Sequence, residues 1–202
     1  MEKPLLILDL DGTLIDTTIN VKHDLDDEPD LIYYENNNVY RIWKRPYLDD
    51  FLEWAFDYFY VAIWSAASED YVRMIIDELK PDGREFEFIW SSERCNYRYQ
   101  LWGGNDEIGL GLRYDVIKNL KKVWRLKENK CNKYSKYRTL IVDDTPSTYL
   151  KNYGNAIPIE SYNLTFKNDE ELLRIKQLLM YLLPLNNFRI IEKRPDQDRY
   201  PI

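Results

Sequence analysis

Leu5-Leu6-Ile7-Leu8-Asp9-Leu10-Asp11-Gly12-Thr13-Leu14 is the stretch from which the rest of the chain is read. Four aliphatic residues in succession predict a strand buried on both faces, and it runs straight into two carboxylates one residue apart, followed by glycine. On an extended backbone Asp9 and Asp11 share parity, so both project from one side while Leu10 turns to the core. Two like charges converging at a strand end call for a neutralising partner, and a hard divalent cation with oxygen ligands, Mg²⁺ above all, meets that need. An Asp-x-Asp-Gly run also occurs in solvated turns and in calcium loops. The calcium loop requires a glutamate at its twelfth position, and counting from Asp9 that place is held by Asn20.

Composition bounds what surrounds this stretch. A chain of 202 residues with 45% apolar residues, 17 Tyr and 6 Trp predicts one well-packed domain rather than disorder. A formal charge of −7 argues against a general binder of nucleic acid or anionic membranes, because its long-range field repels polyanions. Cys95 and Cys131 form neither a zinc pattern nor a disulfide framework, which fits a reducing compartment. The longest apolar stretch, Leu178 to Leu185, is too short for a bilayer span, and the N-terminus lacks a signal-peptide layout. The expectation is therefore a soluble intracellular protein of the cytoplasm or nucleus. His23, the sole histidine, lies among Asp24, Asp26 and Asp27 and reads as a loop residue, so the chemistry must run without a histidine base.

Beyond the first strand, residues 16–44 alternate through Leu31-Ile32-Tyr33-Tyr34 and Val39-Tyr40-Arg41-Ile42-Trp43 around an asparagine turn, predicting a hairpin flap. Pro46 opens a helix over 47–58, and a strand over Tyr60–Trp64 ends at Ser65. Ser68 caps a helix over 69–79. Phe86–Trp90 reads as a third strand and 91–113 as an inserted loop or small sheet. Val116, Leu120 and Val123 predict a helix over 115–126. Thr139–Val142 is a fourth strand ending in Asp143-Asp144, after which Thr145-Pro146 opens a short helix; Ala156–Pro158 and a helix over 169–182 complete the core, and 190–202 forms a charged tail. Strands alternating with helices imply a parallel sheet whose ligands bind beyond the strands' carboxyl ends. Asp9 and Asp11, Ser65, and Asp143 with Asp144 all fall at such ends.

These motifs, together with Lys44-Arg45-Pro46-Tyr47-Leu48-Asp49-Asp50-Phe51-Leu52, Trp64-Ser65-Ala66-Ala67 and Ile117-Lys118-Asn119-Leu120, resemble the haloacid dehalogenase superfamily, and within it the C-terminal-domain phosphatases related to the NLI-interacting factor. The resemblance implies an α/β fold, a Rossmannoid parallel sheet flanked by helices, with a small flap and an insertion but no large cap. It implies a hydrolase in which Asp9 attacks phosphorus and becomes an aspartyl phosphate while Asp11 serves as general acid and then base. Ser65 and the backbone N–H of Ala66 would hold phosphate oxygens, Lys118 would neutralise charge, and Mg²⁺ would sit on Asp9, the Asp11 carbonyl and Asp144, with Asp143 positioning Lys118 or a metal-bound water. Each residue has a plainer reading: Ser65 could simply end a strand, Lys118 could be one of several solvated lysines, and Asp143-Asp144 could be a turn. Arg45, Tyr33 and Tyr40 are candidates for a groove taking a phosphorylated protein or peptide, and the aromatics could equally just cover a sheet edge. A phosphatase for small metabolites or nucleic-acid ends, and a non-catalytic module of the same fold, are the alternatives; the oligomeric state is not legible.

Overall fold

The computed structural model describes residues 2–20, 28–35, 37–102, 111–126, 133–165 and 168–194. His23, Cys131, residues 127–132 and most of the segment expected as a charged tail lie outside the described residues.

Five parallel strands form the central sheet. They are β1 (Leu5–Leu8), β5 (Tyr60–Trp64), β6 (Ile89–Trp90), β9 (Thr139–Asp143) and β10 (Ala156–Pro158), in the order β10-β9-β1-β5-β6. The chain steps from β1 to β5 and β6 on one side, then returns past β1 to build β9 and β10 on the other. That reversal leaves a crevice at the carboxyl end of β1, the place where open α/β sheets bind their ligands.

Both faces of the sheet are covered, which is why β1 reads as an unbroken apolar run. Leu6 and Leu8 face a core built with Val61, Ile63, Leu140 and Val142 and with helices α1 (Leu48–Tyr58), α2 (Glu69–Leu79) and α4 (Glu171–Leu182). Each helix presents its apolar residues at helical spacing, as in Leu48, Phe51, Leu52, Ala55 and Phe56 of α1. Leu5 and Ile7 face a second core of Ala62, Trp64, Trp90, Leu120, Val123, Ile141 and Tyr149, beside the one-turn helix α3 (Lys121–Trp124). Among the described residues no helix is long and apolar enough to cross a membrane.

Two antiparallel sheets are inserted. The flap is three-stranded, β2 (Ile15–Ile19), β4 (Asn38–Lys44) and β3 (Leu31–Glu35), with β4 in the middle. The expected hairpin is β3 and β4, and the preceding residues, read as merely polar, supply the third strand by pairing Ile15 to Lys44 and Ile19 to Tyr40. The second insert pairs β7 (Asn96–Trp102) with β8 (Gly111–Ile117).

Four expectations need correction. The predicted helix over 115–126 is mostly absent, because Asp115, Val116 and Ile117 pair with Arg98, Tyr97 and Asn96, leaving α3 only one turn. Thr145-Pro146 opens a succession of turns rather than a helix, with Thr148 N donating to Thr145 O at 3.1 Å. The third strand is only Ile89–Trp90, since Phe86 turns to pack against Phe56. Tyr47 is not helical: it caps α1 in the left-handed region at φ 67°.

Candidate active site

The strand tips of β1 and β9 and the end of β8 bring Asp9, Lys118, Asp143 and Asp144 together. Lys118 immediately follows β8, and its backbone is clamped: Lys118 N donates to Thr148 O at 2.7 Å, and the buried Asn152 donates from its side-chain amide to Lys118 O while accepting from Leu120 N at 3.2 Å. The fully buried ammonium lies 2.7 Å from Asp9 Oδ1 and 2.6 Å from Asp143 Oδ2. Asp143 spends its other oxygen, Oδ1, on the Thr145 N–H at 3.0 Å. It is thus committed to holding Lys118 and the turn behind it. Asp144, half-buried, accepts from Thr145 Oγ1 at 3.1 Å.

Charge does not balance in this pocket. Burial of an ammonium lowers its proton affinity, yet the two carboxylates on Lys118 overcome that and hold it well above the usual lysine range. Asp9 goes the other way. Burial pushes its carboxyl up to about 8, the neighbouring Lys118 pulls it down and the charge of Asp143 pushes it up again. One ammonium therefore faces three carboxylates, and oxygens of Asp9, Asp143 and Asp144 all lie within 4.8 Å of one another. An all-oxygen donor set with a charge deficit fits a hard divalent cation.

Gly12 lets the loop after β1 approach this cluster. Its φ of 73° lies in the left-handed region, and a Cβ there would run into the Asp144 carboxylate and come within 2.7 Å of Ser161 Oγ. The loop is closed from outside by Tyr162 N, which donates to Gly12 O at 2.7 Å.

Asp11 lies apart from the cluster. Because β1 ends at Leu8, strand parity no longer governs Asp11, which instead accepts a hydrogen bond from the Tyr71 hydroxyl of α2, and Tyr71 lies 2.8 Å from Thr17 Oγ1 of β2. Burial raises the Asp11 carboxyl, and the bond from Tyr71 offsets part of that rise.

Ser65 is buried at the tip of β5. Its N–H donates to Trp90 O at 2.9 Å and its Oγ accepts from Ala67 N at 3.0 Å, so the turn over Ser65 and exposed Ala66 is braced by its own hydroxyl beside α2.

The three groove candidates separate. Arg45 is 1% exposed and belongs to the interior: it pairs with Asp169 and donates to Thr13 O at 3.0 Å and Glu160 O at 2.8 Å, so it cannot line a groove. Tyr40 reaches the site edge, its ring 5.9 Å from that of Tyr71. Tyr33 of β3 meets the later part of α2, where it is hydrogen-bonded to Glu78 and its hydroxyl is raised by burial and by that carboxylate. Sequence reasoning passed over Tyr71, Thr17 and Asn152. For Tyr71 a signal existed, since it occupies the first turn of a helix that begins right after Ser65; nothing in the sequence marks Asn152.

Comparisons with known proteins bear on the family and the fold. The family model of the NLI interacting factor-like phosphatases matches residues 4–189. A Dictyostelium discoideum protein described as "Probable C-terminal domain small phosphatase" is 29% identical over 190 residues, covering 92% of this chain and 53% of its own. A protein of Invertebrate iridescent virus 3 described as CTD phosphatase-like is 28% identical over 197 residues, covering 88% of this chain and 96% of its own. The chain thus spans about half the length of the first relative and nearly all of the second. Among solved structures, the fission yeast RNA polymerase II CTD phosphatase Fcp1 bound to beryllium fluoride superposes with a TM-score of 0.56 at 18% identity, covering 92% of this chain and 52% of that one, which bears on the fold alone.

Proposed function

The chain belongs to the NLI interacting factor-like phosphatase family, and from that premise we propose that it is a Mg²⁺-dependent phosphatase working through an aspartyl phosphate on Asp9, with phosphoserine or phosphothreonine of proteins as substrate. The observation that carries the reading is the buried Asp9–Lys118–Asp143 chain of ion pairs, at 2.7 and 2.6 Å, placed beside Asp144 at the sheet's switch point. Asp9 and Asp144, with the Asp11 backbone carbonyl, would hold the ion, which when bound supplies Lewis-acid polarisation of the phosphoryl oxygens.

The chain's own residues do the rest. Lys118, locked in place by Asp143, offers fixed positive charge to the phosphoryl oxygens in a site largely shut off from water, where it counts for more than in solution. The Asp9 carboxylate is the nucleophile. The Ser65 hydroxyl and the Ala66 N–H, on a turn braced by the Ala67 N–H, would hold non-bridging phosphoryl oxygens. The Asp11 carboxyl, turned toward Tyr71 and away from the carboxylates of Asp9, Asp143 and Asp144, gives its proton to the departing oxygen and later accepts one from the attacking water. Strand β2 of the flap leaves the loop after Asp11 and β8 of the second insert runs directly into Lys118, so both inserted sheets join the fold at the site, an arrangement that supports a protein segment as substrate.

The test is phosphate release from p-nitrophenyl phosphate and from phosphoserine peptides with Mg²⁺. The wild-type chain turns over both, and Asp9→Asn, folded by circular dichroism, turns over neither; full activity in that variant would end the proposal.

A further inference from the structure

Asp11 does not stand free at the mouth of the site, and its partner comes from a part of the chain with no role so far. Tyr71 leaves α2 one turn after Ser68, whose Oγ accepts from Tyr71 N at 3.4 Å. Its ring packs beside Tyr40 of β4 at 5.9 Å, and its hydroxyl sits between the Asp11 carboxyl and Thr17 of β2. A phenol has one proton to give. Toward a carboxylate it donates, and the Thr17 hydroxyl, in contact with both the phenol oxygen and the Asp11 carboxyl, gives its own proton to one of them, so that flap, phenol and acid are joined.

We propose that Tyr71 is the positioning residue of the leaving-group acid: tethered to the flap by Thr17, it holds one oxygen of Asp11 so that the other faces the ester oxygen. The inference rests on the reading of Asp11 as acid and base. It accounts for how Asp11, one residue beyond Leu10 on the loop that closes over β1, keeps a single orientation without joining Asp9, Asp143 and Asp144. It also joins the flap to the chemistry, since a shift of β2 moves Thr17 and through Tyr71 the acid. The carboxyl keeps its other oxygen for the proton it transfers, and the phenol proton stays on Tyr71 throughout, so no additional proton donor is required.

The experiment compares two esters. The p-nitrophenolate group departs readily as the anion, whereas the phenolate of phenyl phosphate needs a proton from the acid, so loss of a positioned acid falls on the second. Phe preserves the ring packing of Tyr71, and Val preserves the shape of Thr17. Tyr71→Phe is expected to lower kcat/KM on phenyl phosphate about tenfold or more while changing that on p-nitrophenyl phosphate less than about threefold, and Thr17→Val to shift the ratio the same way by a smaller factor. Equal losses on both esters, or no loss on either, overturn the positioning role while leaving the phosphatase reading intact. A wild-type chain inactive on both esters with Mg²⁺ removes that reading, and the proposal with it.

Discussion

Arg45 and Asp169, 124 residues apart, meet in a two-point ion pair, Nε to Oδ1 at 2.9 Å and Nη2 to Oδ2 at 2.7 Å, with neither side chain meaningfully exposed. The guanidinium also donates to the carbonyls of Thr13 and Glu160. One arginine at the end of β4 thereby fastens the flap, the loop after β1 and the segment leading into α4. Replacing it leaves a buried carboxylate with no cation and only the Glu171 N–H as donor, and strips the Thr13 and Glu160 carbonyls of theirs. Arg45→Met should cost about 3–5 kcal/mol in urea unfolding, whereas Arg45→Met with Asp169→Leu should recover a good part of that loss. The folded fraction of the single variant should bind phosphopeptide with an unchanged KM, because Arg45 does not face substrate.

Lys118 is the second test. Lys118→Met removes the ammonium that bridges Asp9 and Asp143, and kcat should fall by about 10²–10³, the order expected when a preorganised charge is lost from a site of this kind. Lys118→Arg should not restore activity: the ammonium is fully buried in direct contact with Asp9 and Asp143, and a bulkier planar fork would have to displace those carboxylates to fit. Steady-state kinetics of the two variants read this directly.

Gly12→Ala tests the approach of the loop to Asp144. A left-handed φ together with a Cβ forced against the Asp144 carboxylate and Ser161 Oγ should cost about 1–3 kcal/mol of stability and weaken Mg²⁺ binding at the same time. Thermal unfolding with and without Mg²⁺ separates the two: the variant should lose more of the metal-dependent gain than of the metal-free midpoint.

How much of this was legible is clearest from particular residues. The apolar run into Asp9 and Asp11, the strand ending at Ser65 and the pair after β9 could be read because each strand is buried on both faces and its signal is local. The helix expected over 115–126 could not be corrected from sequence: Val116, Leu120 and Val123 match a helical period, and only pairing of Tyr97 with Val116 shows that the first of them belongs to a strand. Ile15–Ile19 was missed as a strand because IDTTI carries little apolar signal, and its partner β4 lies more than twenty residues on. Arg45 was misplaced for a related reason. A cation beside aromatics looks like a binding surface until the distant Asp169 that neutralises it is known. Asn152, whose role depends on long-range partners, leaves no trace in local pattern, and Tyr71 leaves only its place in the first turn of the helix after Ser65.

The pH response follows from Asp9. Its carboxyl ordinarily titrates near 3.8 and in the folded, metal-free chain is pushed up to about 8. Between those values the folded state binds more protons than the unfolded one, so the contribution of Asp9 to stability declines as pH rises from about 4 to 8 and levels off above. Metal ligation needs the ionised form, so Mg²⁺ affinity should climb over the upper part of that window, with proton release on binding. Calorimetric titration in buffers of different ionisation enthalpy measures the released proton; no release at pH 7 would contradict the assignment.

The most direct measurement is of the nucleophile itself. With Mg²⁺ and a phosphoserine peptide, the chain is quenched in acid during turnover, reduced with borohydride and mapped by mass spectrometry, since reduction of an acyl phosphate converts that aspartate to homoserine. The account predicts homoserine at position 9 and nowhere else, dependent on both Mg²⁺ and substrate. Turnover with an unmodified Asp9, or a label at Asp11, Asp143 or Asp144 in its place, would contradict it.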